Sequence, residues 1–158
     1  MANHFPTDHS DVPIRLFQSN FLEFFTHISP IAVLTLWVPV ALFALLYDVL
    51  RAAVPNWAIL PAAFVIGLFL WTFAEYTLHR FLFHYPPKTP RQEKIFFLFH
   101  GVHHAQPQCK TRLVMPPVLS IPLAALFYGL FYLVVGAWFQ APLWVGPLFS
   151  GYITGYLL

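Results

Sequence analysis

The chain has 158 residues, 59% of them apolar and 9% charged, where soluble proteins carry roughly 25% charged residues. So few charges cannot cover a water-soluble fold of this size, and lipid must cover much of the surface instead. A net charge of +2 gives no case for nucleic acid, and the single Cys109 excludes an internal disulfide framework.

Residues 1–27 form a polar, Pro-containing lead segment. It carries Asp8, Asp11, Arg15 and Glu23 rather than a basic start and an apolar run, so no signal peptide is expected and the first membrane helix should act as the insertion signal. Its stretches Pro13–Phe17 and Phe21–Phe25 read either as an amphipathic piece on the membrane surface or as an unstructured tail. Ile28 to Tyr47 is an uncharged run ended by Asp48 and Arg51, long enough to cross a bilayer core of about 30 Å, with Pro39 as a candidate kink. Trp57 to Ala74 is a second uncharged run. It continues helically through Glu75 and Tyr76 to about Phe83, stops before Pro86-Pro87, and should protrude from the membrane. Arg91–His104 is predicted as a helix in the interface, since Ile95, Phe96, Phe97, Leu98 and Phe99 are all apolar. Leu113 to Leu158 contains no charge and is long enough for two further spans, near 117–138 and 143–158, broken around Gly136, Pro142 and Pro147. The predicted fold class is therefore all-α, an integral membrane protein with about four transmembrane helices. The 18 Phe, 7 Tyr and 5 Trp fit it, because Trp and Tyr favour the headgroup level. Two regions follow, a lead segment 1–27 and a membrane-embedded domain 28–158.

Basic residues in short connections set orientation. Arg80, Lys88, Arg91, Lys94, Lys110 and Arg112 are six of the eight Lys and Arg, opposed locally only by Glu93. That segment is expected on the cytoplasmic face, with both chain ends on the same side.

Five of the eight histidines fall between His79 and His104. His79 and His84 are five apart, which on an α-helix separates them by roughly 140°; they converge only if His84 lies beyond a fraying end. His100, His103 and His104 stand at i, i+3 and i+4 and line one side of a helix. Several imidazoles aimed at one point are what a metal needs, and imidazole suits iron, zinc, copper and nickel. A ligating ring needs a partner for its other nitrogen; Glu75, one turn before His79, is the candidate, and a carboxylate at membrane depth is seldom idle. A single histidine near a membrane end is ordinarily an interfacial residue, and His4, His9 and His27 are read as surface or tail residues. Two clustered motifs weigh against that reading for the other five. Arg80, Lys110 and Arg112 are expected to snorkel to phosphate.

Glu75-Tyr76-Thr77-Leu78-His79-Arg80-Phe81-Leu82-Phe83-His84 resembles the first histidine box of the fatty acid hydroxylase superfamily (sterol desaturase/fatty acid 2-hydroxylase type), and His100-Gly101-Val102-His103-His104 resembles its second. Arg112-Leu113-Val114-Met115-Pro116-Pro117 and Pro13-Ile14-Arg15-Leu16-Phe17 are similar to segments of the fatty acid 2-hydroxylase branch. The resemblance runs from about Pro13 to the last residue. It implies a dinuclear metal centre, with iron expected and zinc as the alternative, held by His79, His84, His100, His103 and His104 at the cytoplasmic membrane face, with Glu75 and Arg112 in supporting positions. It implies O2-dependent hydroxylation at carbon 2 of a long fatty acyl chain, free or within a sphingolipid, with no catalytic residue beyond the ligands. The implied partners are a membrane lipid substrate and an external electron donor of the cytochrome b5 or ferredoxin kind. In the family the fourth helix leads into a Tyr-Asp-x-x-His-Tyr stretch and further histidine boxes, whereas this sequence reads Gly155-Tyr156-Leu157-Leu158 at its end. The domain is therefore expected to be C-terminally incomplete, with a partner chain as one source of the remaining ligands. The alternatives are another activity of the superfamily (a sterol or carotenoid oxidase, or a desaturase) and a non-catalytic metal-binding membrane protein.

Overall fold

A computed structural model describes residues 7–50 and 56–158; His4 and Arg51 lie outside them. Polar caps and prolines start the long helices. The Ser29 hydroxyl accepts from the Ala32 N–H at 3.2 Å at the head of α2 (Pro30–Leu50). The Asn56 side chain does the same for Ala58 at 3.0 Å just ahead of α3 (Ile59–Thr77). Earlier, α1 is a single turn, Asn20–Phe24. After α3 the chain passes into a π-helical turn (Leu78–Phe83), then α4 (Pro90–Phe96), a second π-helical turn (Phe97–Gly101) and α5 (Val102–Ala105). A 3-10 turn (Lys110–Arg112) leads to α6 (Pro117–Phe131), which is extended by a third π-helical stretch (Tyr132–Trp138). A 3-10 turn (Pro142–Trp144) then opens α7 (Val145–Leu157). Thr89 caps α4, accepting from Gln92 N–H, with Pro90 preset at the first position.

Three stretches are long and apolar enough to cross a bilayer: Pro30–Tyr47, Ile59–Phe83 and Lys110–Trp138. Their side chains face outward in bulk; Ile31, Phe69 and Leu126 are 75%, 69% and 65% exposed. Water would penalise such surface heavily, whereas lipid does not, so this is an integral membrane protein. In the region expected to hold a fourth span, near 143–158, α7 covers Val145–Leu157. α2 runs on through Pro39.

The chain forms two units. One comprises Leu34–Glu75 and Ser120–Leu158. In it α7 is the most enclosed element, with Val145 and Pro147–Ile153 buried. Glycines permit this approach. A Cβ on Gly67 of α3 would sit 2.0 Å from the Leu148 carbonyl oxygen, and one on Gly151 of α7 2.0 Å from that of Phe64, so the α3 and α7 backbones touch with no side chain between them. Trp71 packs edge-on to Tyr152 and Tyr156, and the Trp37 indole N–H donates to Ser120 at 3.3 Å.

The other unit comprises residues 7–33 and Tyr76–Leu119 and contains every candidate ligand. Over its described part the lead segment is not a free tail, and it carries one helical turn, α1, whose Phe21, Leu22 and Phe24 are exposed. Asp8 N–H donates to the Ala105 carbonyl at 2.7 Å and Ile28 N–H to that of Thr111 at 3.0 Å, so the segment is tied to the histidine-bearing region at both ends.

Candidate metal centre

Both histidine motifs sit on π-helical turns. In such a turn the hydrogen bond runs from i to i+5, so residues five apart stack over one another. His84 N–H donates to the His79 carbonyl at 3.1 Å, which is that bond. The convergence of His79 and His84 therefore comes from a wider turn, not from the fraying end expected of an α-helix. The result is an Nε2···Nε2 separation of 2.9 Å between these two rings. His100, on the second π-helical turn, and His104, on α5, are four apart, neighbours on one helix face, and close to 2.8 Å. Ligand nitrogens of His79, His84, His100 and His104 all lie within 4.8 Å of one another.

These distances fit a metal. Bonds of about 2.0–2.1 Å place two imidazole nitrogens at right angles about 2.9 Å apart and opposite ones about 4.1 Å apart. The two close pairs match the first spacing, and all four nitrogens lie within 4.8 Å of one another. Electrostatics agree. Burial and the neighbouring imidazoles push His100 down to about 3, and burial, followed by His103, His84 and His79, also lowers His104. At neutral pH both rings are uncharged and offer lone pairs, the state in which histidine ligates. The Phe83 ring lies on that of His100, centroids 4.9 Å apart and planes 15° from parallel, walling one side of the cluster.

His103 is not one of the four converging residues, although its ring stands 5.6 Å from that of His104. Glu75, exposed on α3, is not among them either. His9 is exposed; His27, expected as a surface or tail residue, is half-buried, and its buried Nδ1 has no protein partner among the described residues. Arg112 departs most from expectation. Its side chain is 1% exposed, so it does not snorkel to phosphate. It pairs with Glu23 at 3.0 Å and donates to the carbonyls of Thr26, at 3.0 Å, and Ile14. Arg80 and Lys110 are exposed, as expected. Burial pushes the Glu23 carboxyl up, but bonds from Phe17, Leu16 and Thr26 and the Arg112 charge outweigh it and hold the group below its ordinary 4.5. Gln106, two residues past His104, is fully buried and drew no notice in the sequence, since no periodicity or motif marks it.

Residues 64–157 match the fatty acid hydroxylase family. The chain belongs to this family. Among fatty acid hydroxylases it is 40% identical over 142 residues to the ceramide very long chain fatty acid hydroxylase of Schizosaccharomyces pombe, covering 87% of this chain and 38% of that protein. It is 35% identical to a dihydroceramide fatty acyl 2-hydroxylase of Arabidopsis thaliana, covering 91% and 58%, and 34% identical to the human fatty acid 2-hydroxylase, covering 92% and 43%. A solved structure of full-length scs7p, in which only the hydroxylase domain is visible, superposes with a TM-score of 0.74 at 35% identity over 87% of this chain and 50% of that one. The chain thus has the hydroxylase fold and spans between about a third and three fifths of the length of these relatives.

Proposed function

We propose that this chain carries a histidine-held metal centre of a membrane enzyme that adds a hydroxyl at carbon 2 of long fatty acyl chains, free or within a sphingolipid. The observation that carries this reading is the convergence of four imidazoles, His79, His84, His100 and His104, within 4.8 Å in a chain whose relatives bear 2-hydroxylase names. His103 is proposed as a further ligand, and iron in a dinuclear arrangement as the metal, with zinc as the competing occupant. Such a centre supplies the means to activate O2 for insertion into an unactivated C–H bond. The balance is one O2, two electrons and two protons per hydroxyl formed, with water as the second product, so an external donor of the cytochrome b5 or ferredoxin kind is required.

The chain's own residues supply holding, shielding and access. The π-helical turns fix the imidazole spacing before any ligand arrives, which lowers the ordering cost of binding. Phe83 excludes water from one side of His100. Phe81, Leu82, Ile95 and Leu113, all exposed in the same unit, offer an apolar rim to an acyl chain. Carbon 2 of such a chain adjoins its polar head, so a site at the end of the Ile59–Phe83 span suits it by depth. Five exposed basic residues, Arg80, Lys88, Arg91, Lys94 and Lys110, support a cytoplasmic location; buried Arg112 does not contribute.

The test is lipid analysis of membranes from cells expressing this chain, beside His104→Ala. A 2-hydroxy acyl product lost in the variant is expected. A hydroxylated sterol or an unsaturated acyl product would assign a different reaction of the family. No new product from well-expressed protein would overturn catalysis by this chain and leave metal binding as its role.

A further inference from the structure

α4, the second π-helical turn and α5 form one continuous helical run over 90–105, and His104 sits in its last turn. The lead segment meets it at three levels. Asp8 N–H donates to the carbonyl of Ala105, the last residue of α5, satisfying a group the helix end leaves open. Gln106 follows at once, fully buried, and spends its whole amide on the same segment: Nε2 donates to the Val12 carbonyl at 2.8 Å and the Asp8 carboxylate at 3.3 Å, and Oε1 accepts from Ile14 N–H at 2.7 Å. Arg112 closes the far end of the loop on Ile14, Thr26 and Glu23, while Glu23 Oε2 accepts the Leu16 and Phe17 N–H groups at 2.9 and 2.8 Å. The contacts made by Ala105, Gln106 and Arg112 join residues more than eighty positions apart, and the segment lies outside residues 64–157, the part that matches the family.

We propose that residues 8–28 are a strap that sets the position of the His100–His104 turn, with Gln106 as a positioning residue for the metal centre and the Glu23–Arg112 pair as the strap's second anchor. This rests on the metal-binding reading above. An amide that joins three points of a distant segment two residues from a ligand transmits any slack in that segment to the imidazole.

The experiment titrates Co2+ into the purified 158-residue chain in detergent micelles, following its ligand-field absorption bands, with hydrogen exchange measured in parallel. Gln106→Ala is expected to weaken Co2+ binding about 10–100-fold, to shift the bands at saturating Co2+, and to raise exchange in residues 8–18 and 100–106 together. The band shift separates positioning from mere destabilisation, which would leave the wild-type spectrum in whatever fraction stays folded. Glu23→Gln, which keeps one acceptor oxygen and turns the other into an NH2 donor, should move all three readouts the same way, and decides on the same criteria if Gln106→Ala does not fold. Wild-type affinity and bands in a variant whose strap exchanges faster would overturn the proposal. Wild-type protein that gives no bands at all would instead overturn the metal reading, and the positioning role with it.

Discussion

Phe83 shows how much one apolar residue does beside a cluster of imidazoles. Its ring covers that of His100 and removes water from it, which favours the uncharged, ligating form. Phe83→Leu keeps the apolar volume but loses the stacking, worth about 1 kcal/mol. It is expected to weaken metal binding several-fold, and Phe83→Ala more, as read by metal titration. Arg112 is the opposite case, a charge taken almost wholly out of water and matched by Glu23 and two carbonyls. Arg112→Ala strands the Glu23 carboxylate and is expected to cost about 3–5 kcal/mol in denaturant unfolding, the usual result of removing one partner of a buried pair. In the sequence Arg112 looked like a phosphate-seeking surface residue, because nothing local to it reveals a partner 89 positions away.

Among the elements, the π-helical turns matter most. Histidines five apart point in different directions on an α-helix, yet here their nitrogens meet at 2.9 Å, because the wider turn brings i and i+5 into line. Spacing alone does not announce such a turn. The helix pair α3 and α7 is governed by absence of bulk. Gly151→Leu would drive a side chain into the Phe64 carbonyl and is expected to destabilise the helical bundle by about 1–3 kcal/mol or more. The fall in thermal unfolding temperature in micelles checks this, with Gly129→Leu, where a Cβ meets nothing, as the control.

For the whole molecule, the depressed histidines make stability depend on pH. Unfolded, both rings titrate near 6.5; folded, His100 titrates at about 3 and His104 below its ordinary value. Between about pH 3 and 6.5 the unfolded chain binds more protons, so stability rises with pH across that window and is lost as pH falls through it. Unfolding of the metal-free chain between pH 7 and 4 should show this slope, and His100→Ala should flatten it. Orientation can be tested in cells. Lys94 is exposed and the native Cys109 is fully buried, so Lys94→Cys should be labelled by a membrane-impermeant maleimide only after permeabilisation. Labelling of intact cells would place the site on the outer face.

Low charge and long uncharged runs determined by themselves that this chain lives in lipid, because only lipid tolerates that much apolar surface. The extents of the first three helices were legible for the same reason, and the sequence grouped His79, His84, His100, His103 and His104, four of which converge in the folded chain. What sequence could not decide was set by contacts between distant residues. α7 is enclosed by glycine-permitted packing against α3, which no local pattern in either helix announces. The lead segment became a strap only because Gln106 and Arg112 reach it across more than eighty positions. His104 was readable as a candidate from its neighbours in the chain; where its nitrogen points depends on hydrogen bonds that exist only once the chain has folded.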